Sequence, residues 1–251
     1  MIFDINSKII GVKFCFNNTN LKSIVSLIIA ENLFGFNPEY MDLDYNENNY
    51  NKTDALSLVQ EISDKQSALF SSISEKSDLC VTYQAVIESP LIIQYRLAKE
   101  SIENSFLYVV NRLIALESFC CAYIYDFWDV KWQSATLESQ YFMYNKNHSQ
   151  LKRTIDRWGE SIVDTSENYG REEMFKRFNL IVAPKMYFSN WFLENVINKE
   201  TILKEFKGEF ITNNVLYVEL YSDIFETDRN KQKKFMSMIN IEEIRNRFNP
   251  Y

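Results

Sequence analysis

The stretch that decides the fold is Gly208-Glu209-Phe210-Ile211-Thr212-Asn213-Asn214-Val215-Leu216-Tyr217-Val218-Glu219-Leu220-Tyr221, with the polar run from Thr227 to Asn240 behind it. An Asn-Asn pair between two β-rich runs predicts a tight hairpin, because Asn tolerates φ > 0 better than most residues. In the second run Leu216, Val218 and Leu220 point one way, and Val215, Tyr217, Glu219 and Tyr221 the other. Thr227 or Asp228 then N-caps a helix whose apolar stripe is Phe235, Met238 and Ile239. That is an antiparallel sheet with a helix laid against it, and it carries no chemistry of its own.

Working outward, residues 8–16 read as a strand with Val12, Phe14 and Phe16 on one face. Residues 21–33 read as a helix closed by Gly35 and Pro38. Residues 37–51 fit no period and read as a long Asn-rich loop. A helix over 54–75 is expected behind Thr53, from Leu56, Val59, Ile62, Gln66, Leu69 and Ile73 at spacings of 3 and 4. Strands follow at 79–87 and 91–97. The strongest helix runs over 99–117, where Ile102, Phe106, Val109, Leu113 and Leu116 step by 4, 3, 4, 3. With Leu107, Val110 and Ile114 widening its stripe, it is expected to be a spine buried on more than one side. A strand at 119–125 runs into Asp126–Trp132, residues 137–159 read as helical, and 160–173 as a second polar loop. A strand at 180–188 is broken by Pro184, and short helices begin at Trp191 and Thr201. Asn240 and Glu243 at capping-box spacing open the last helix, 241–248. The order is not the alternation of a doubly wound sheet. It predicts an α+β fold, an antiparallel or mixed sheet packed with helices, in one domain over 1–251. Two similar halves, 1–126 and 127–251, would share the central helix.

Composition narrows the function. An apolar fraction of 46 % suffices for a packed core, while five Gly and four Pro leave no Gly-rich phosphate loop. With a net charge of −7 the chain is a poor default binder of nucleic acid, and a plausible partner for something basic. Cys15, Cys80, Cys120 and Cys121 contain no CxxC and read as reduced, buried thiols. Adjacent Cys120 and Cys121 would face opposite sides of their strand. Met1-Ile2-Phe3-Asp4 opens no signal peptide, and no run approaches the roughly 20 apolar residues that span a bilayer. A cytoplasmic location without a membrane partner is the expectation.

Catalytic chemistry is looked for and not found. The single histidine, His148, removes the usual base from Ser-His and Cys-His mechanisms and most zinc sites. There is no GxGxxG, P-loop or GxSxG. Asp126, Asp129 and Lys131 loosely resemble the acid–acid–x–lysine array of metal-dependent nucleases, but no upstream acid is placed to complete it. No metal site, no cofactor and no enzyme activity are expected. A carboxylate-based hydrolase or nuclease is the alternative reading, and a self-assembling structural or adaptor protein the second.

Two stretches offer partner contacts instead. In the Asn-rich 37–51 segment, Asp42, Asp44 and Glu47 interleave with Tyr45 and lack a neighbouring base. At the strand end, Asp126, Trp128, Asp129 and Trp132 combine the aromatics favoured in binding hot spots with acids that would select a basic partner. Aromatics that simply plug the end of the core are the plainer reading of the second stretch, and a solvated loop that of the first.

The C-terminal third resembles the immunity proteins of bacterial polymorphic toxin and type VI secretion systems. The resemblance lies in Met186-Tyr187-Phe188, Trp191-Phe192, the helix ending at Phe206, Val215–Tyr221, Asp223-Ile224-Phe225, Arg229-Asn230, Gln232 and Phe235, with Ala122–Asp126 upstream. It covers about half the chain, mostly in core and capping letters. It implies a non-enzymatic inhibitor that binds one cognate toxin, and it assigns no functional residue.

Overall fold

The computed structural model describes residues 4, 6–43, 46–60, 67–83, 89–99 and 104–248. In chain order these form β1 (Ile9–Phe16), α1 (Leu21–Glu31), β2 (Tyr40–Leu43), β3 (Asn46–Asn49), α2 (Lys52–Val59), β4 (Ala68–Ser72), β5 (Ser77–Tyr83), β6 (Leu91–Ala98) and α3 (Asn104–Ile114). Then come β7 (Phe119–Asp126), α4 (Phe127–Ser134), α5 (Glu138–Phe142), β8 (Arg153–Ile155), β9 (Ser161–Val163), β10 (Glu173–Phe175), β11 (Phe178–Leu180) and β12 (Lys185–Ser189). The chain continues through α6 (Asn190–Asn195), α7 (Lys199–Glu205), β13 (Lys207–Thr212), β14 (Val215–Glu219), α8 (Arg229–Ser237) and α9 (Ile241–Phe248).

The fold is α+β. Ten of the strands make one sheet in the order β13-β14-β12-β7-β1-β6-β5-β4-β2-β3, antiparallel at every pairing. Two hydrophobic cores lie on its opposite faces. The first gathers Val12, Phe14, Phe70, Leu79 and Tyr95 beneath α1, α2 and α3. The second gathers Cys121, Tyr123, Phe188 and Leu216 beneath α6, α8 and α9. Strand β1 is buried along its whole length because both cores touch it. Gly11 has no side chain because a Cβ there would collide with the Tyr125 ring.

The C-terminal hairpin and helix form where the sequence places them. Asp228 Oδ1 accepts from Lys231 N at 3.0 Å as the N-cap of α8, and Phe235 is fully buried. The turn differs in detail: neither Asn213 nor Asn214 has positive φ. A bulge between Phe210 and Thr212 takes up the twist instead.

Several expectations are corrected. The 37–51 segment is not a loop throughout, since β2 and β3 form a hairpin at the sheet edge. Only Met41 and Leu43 point into the core, too few to make an alternation visible. The expected helix over 54–75 stops at Val59, and Ala68, Phe70 and Ser72 are the buried positions of strand β4. The 3-and-4 spacing of Leu69 and Ile73 is coincidental; Ile73 is exposed. Asn51, not Thr53, caps α2 through Thr53 N at 2.9 Å. Helix α3 leaves Leu107 and Tyr108 in solvent, so it covers the first core from one side and is not shared by the second. Residues 137–159 hold only the short α5 and then the first strand of a two-stranded hairpin, β8–β9. Cys120 sits in a bulge, because Cys15 pairs with Cys121 and Phe16 with Phe119, and both cysteines therefore face the second core. The ends of the expected 79–87 strand and 99–117 helix at 84–88 and 100–103 lie outside the described residues.

Candidate partner-binding cleft

The site begins where β7 ends. Asp126 Oδ1 accepts from Trp128 N at 2.9 Å and Asp129 N at 3.3 Å, which caps α4. The sequence suggests an irregular turn here, but the cap makes a helix. Helical spacing then stacks Trp128 on Trp132, with centroids 6.1 Å apart and planes at 12°. Tyr144 arrives from the segment after α5 and stands edge-on to both indoles, at 5.2 and 5.7 Å. Phe127 packs edge-on against Trp128 at 5.1 Å, and Tyr141 lies 5.5 Å from Trp132.

Two ammonium groups enter this cluster. Lys131 Nζ lies 4.2 Å from the Tyr144 centroid and 5.6 Å from Trp128, and donates to the Tyr144 hydroxyl at 3.1 Å. Lys146 Nζ lies 4.4 Å above Trp132. Lys8 and Lys99 sit over Phe225 at 5.1 and 5.5 Å without lining the cleft themselves. Among the described residues none of these four lysines has a carboxylate within 4.0 Å. The rings border a shallow, open cleft of about 880 Å³ whose lining includes Asp126, Trp132, Tyr144, Lys146, Phe225 and Thr227. Burial pushes the Asp126 carboxyl up, against the two N–H groups it accepts. Burial likewise pulls the Lys146 ammonium down, against the pull of Asp129.

The sequence-selected residues fare differently. Asp126, Trp128, Asp129 and Trp132 do come together. Their acids are already engaged, however: Asp129 is held by Arg229 at 2.6 Å and by Gln133 at 2.8 Å. Trp128 is 7 % exposed, and its indole N–H is buried without an acceptor among the described residues. Asp42 lies on β2 directly opposite Glu47 of β3, with one carboxylate oxygen buried and unpartnered among the described residues. Asp44 and Tyr45 lie outside the described residues. Strand β2 is five places from β7 in the sheet order, about 24 Å at roughly 4.8 Å per strand. The two sets therefore belong to separate surfaces.

Sequence reasoning missed Tyr144, Lys146, Phe225, Lys8 and Lys99, and weighed Lys131 only as part of a nuclease-like array. Only Lys131 left a local signal, since it falls on the Trp128–Trp132 side of one helix. The neighbouring surface was missed as well. Six of the thirteen exposed large apolar side chains among the described residues lie between Leu137 and Trp158. Phe142 is 67 % exposed, Met143 75 % and Trp158 72 %. Phe142 and Met143 immediately precede Tyr144, so this apolar flank adjoins the cleft. His148 packs edge-on against Phe142 at 4.9 Å.

No metal centre gathers elsewhere among the described residues: no group of three His, Cys, Asp or Glu is arranged to hold an ion. Burial pushes the Cys15, Cys120 and Cys121 thiols up, which keeps them protonated and unreactive. No described helix is long and apolar enough to cross a membrane. Set against known protein families, curated proteins and solved structures, the chain matches none.

Proposed function

We propose that this chain is a binding protein that neutralises a cognate toxin by protein–protein contact, without catalysis, through the α4 cleft and the apolar flank beside it. The observation that carries the reading is the crowding of exposed Leu137, Phe142, Met143, Leu151, Ile155 and Trp158 into one short stretch. Apolar side chains scattered singly over a surface are ordinary, but Phe142 and Met143 stand exposed immediately before Tyr144 of the aromatic cluster. Aromatic side chains anchor such sites because they bury much area at little entropic cost. The resemblance to immunity proteins points the same way. The carboxylate–metal alternative loses its residues, because Asp126 caps a helix and Asp129 is bound by Arg229.

The test is co-production with the product of the neighbouring gene. Cells arrested by that product are expected to grow when this chain is present, and the two proteins to co-elute. The paired change Phe142→Ala and Met143→Ala is expected to abolish rescue while the melting temperature holds, since both side chains are exposed. Rescue without physical association would overturn the reading, as would a neighbouring product that leaves growth intact.

A further inference from the structure

Charge decides what kind of partner segment the cleft takes. Its two carboxylates are already engaged, Asp126 as a cap and Asp129 by Arg229 and Gln133. Its one lining ammonium, Lys146, and Lys131 beside it have no carboxylate within 4.0 Å among the described residues, and Asp129 acts on Lys146 only from farther away. A ring face attracts an ammonium ion but satisfies it incompletely, since each lysine carries three N–H donors. Lys131 uses one on the Tyr144 hydroxyl. Lys146 is half-buried on Trp132, which strips part of its water without supplying an anion. Lys8 and Lys99, exposed and outside the lining, sit over Phe225, and Lys8 also acts on Asp126. The indole N–H of Trp128 adds one more buried donor without an acceptor among the described residues.

We propose that the cleft takes an acidic segment of the partner protein, a Glu or Asp side chain received by Lys146 and Lys131, with adjoining apolar side chains on Phe142 and Met143. The inference rests on the partner-binding reading above and names the chemistry of that partner. It reverses the sign that the net charge of −7 suggests. The same net charge selects among anions. It repels nucleic acid and anionic lipid surfaces, whose fields are long-ranged. A single carboxylate in an apolar segment responds mainly to the local lysines, because distant charges are screened over about 8 Å at physiological salt.

The experiment uses the full chain with its four tryptophans replaced by 5-fluorotryptophan. The Trp132 and Trp128 resonances are assigned from the Trp132→Phe and Trp128→Phe variants. The probes are a short peptide alternating Leu and Glu, its Gln and Lys counterparts, and phosphatidylcholine vesicles containing phosphatidylserine. The Glu peptide is expected to shift Trp132 saturably, the Gln peptide to bind at least about tenfold more weakly, a difference near 1.4 kcal/mol, and the Lys peptide not to bind. Lys131→Gln with Lys146→Gln should remove the preference. Lys8→Gln with Lys99→Gln, both exposed and harmless to folding, should reduce it. A Lys peptide that binds as well as the Glu peptide overturns the inference and leaves the binding reading standing. So does equal affinity for Glu and Gln peptides, or a response to the vesicles alone. If no probe moves Trp132, the cleft is not a contact face, and the placement of the binding site falls with the inference.

Discussion

The two halves of the sheet bury opposite faces, and the difference explains both what they look like and what they do. Strands β5, β4 and β2 are covered by α1–α3 on one side only, while β6 also meets the second core through Ile92. On the other side Gln94, Cys80, Leu69 and Asp42 form a directly paired row that belongs to no hydrophobic cluster among the described residues. Strands β7, β12 and β14 put Tyr123, Phe188 and Leu216 under helices on the opposite face. Their first face still meets the first core through Ala122, Tyr187 and Val215. One half is a half-wetted sheet, the other close to a three-layer sandwich. The candidate cleft forms at the crossover, where β7 passes directly into α4 and the start of β1 and end of β6 lie alongside. Elements that change faces leave a gap at the sheet's end, and here aromatic rings, Asp126, Asp129 and Lys146 line it.

If the cores are joined through the doubly covered β1 and β7, they should unfold together. Leu113→Ala in the first core and Phe235→Ala in the second, both fully buried, should each destabilise by about 2–5 kcal/mol. Each should shift one common transition, read by far-UV and near-UV dichroism during denaturant unfolding. Two separate transitions would break the comparison and divide the molecule into independent units.

A smaller but sharper effect concerns the tie between β1 and the segment before β10. Lys13, 5 % exposed, meets Glu172 at 2.5 Å, and the same carboxylate accepts from Asn179. Burial pulls the Lys13 ammonium down, but Glu172 and Tyr125 together hold it above its ordinary value. Lys13→Met should cost about 3 kcal/mol, because it leaves a part-buried carboxylate without its counter-ion. The joint change Lys13→Met with Glu172→Gln should recover much of that loss. A double change that costs the sum of the two single changes would show that the pair is not coupled.

The smallest expected effect lies on the apolar flank. Hydrogen bonds from Ser166 and the neighbouring Lys152 hold Asp164 down to about 2 from its ordinary 3.8. A carboxyl depressed in the folded state favours folding above its unfolded value and loses that contribution as pH falls through the folded one. The β8–β9 hairpin should therefore keep this support above pH 3.8 and lose it toward pH 2. Asp164→Asn should flatten acid unfolding in that window while leaving pH 7 binding intact. Identical acid limbs in both proteins would remove Asp164 from the account.

The sequence by itself determined the elements whose stability is local. The 207–219 hairpin, the Asp228 cap of α8 and strands β1, β6 and β7 were legible. Their signals, alternation, caps and turn residues, act over a few positions. The sequence also grouped Trp128 and Trp132 at the end of a strand, but their stacking four residues apart on a helix came from the structure. Only the tertiary structure decided the rest. Strands β2 and β4 carry too few core residues to show a period, and they exist because a neighbour supplies their hydrogen bonds. Residues 137–158 mimic a helical stripe, yet Ile155 and Trp158 stand in solvent. The cleft drew Tyr144 and Lys146, Phe225, and Lys8 and Lys99 from segments far apart in the chain, and its acids were engaged by partners as distant as Arg229. Which charges pair is a property of the three-dimensional arrangement, and composition reports only their sum.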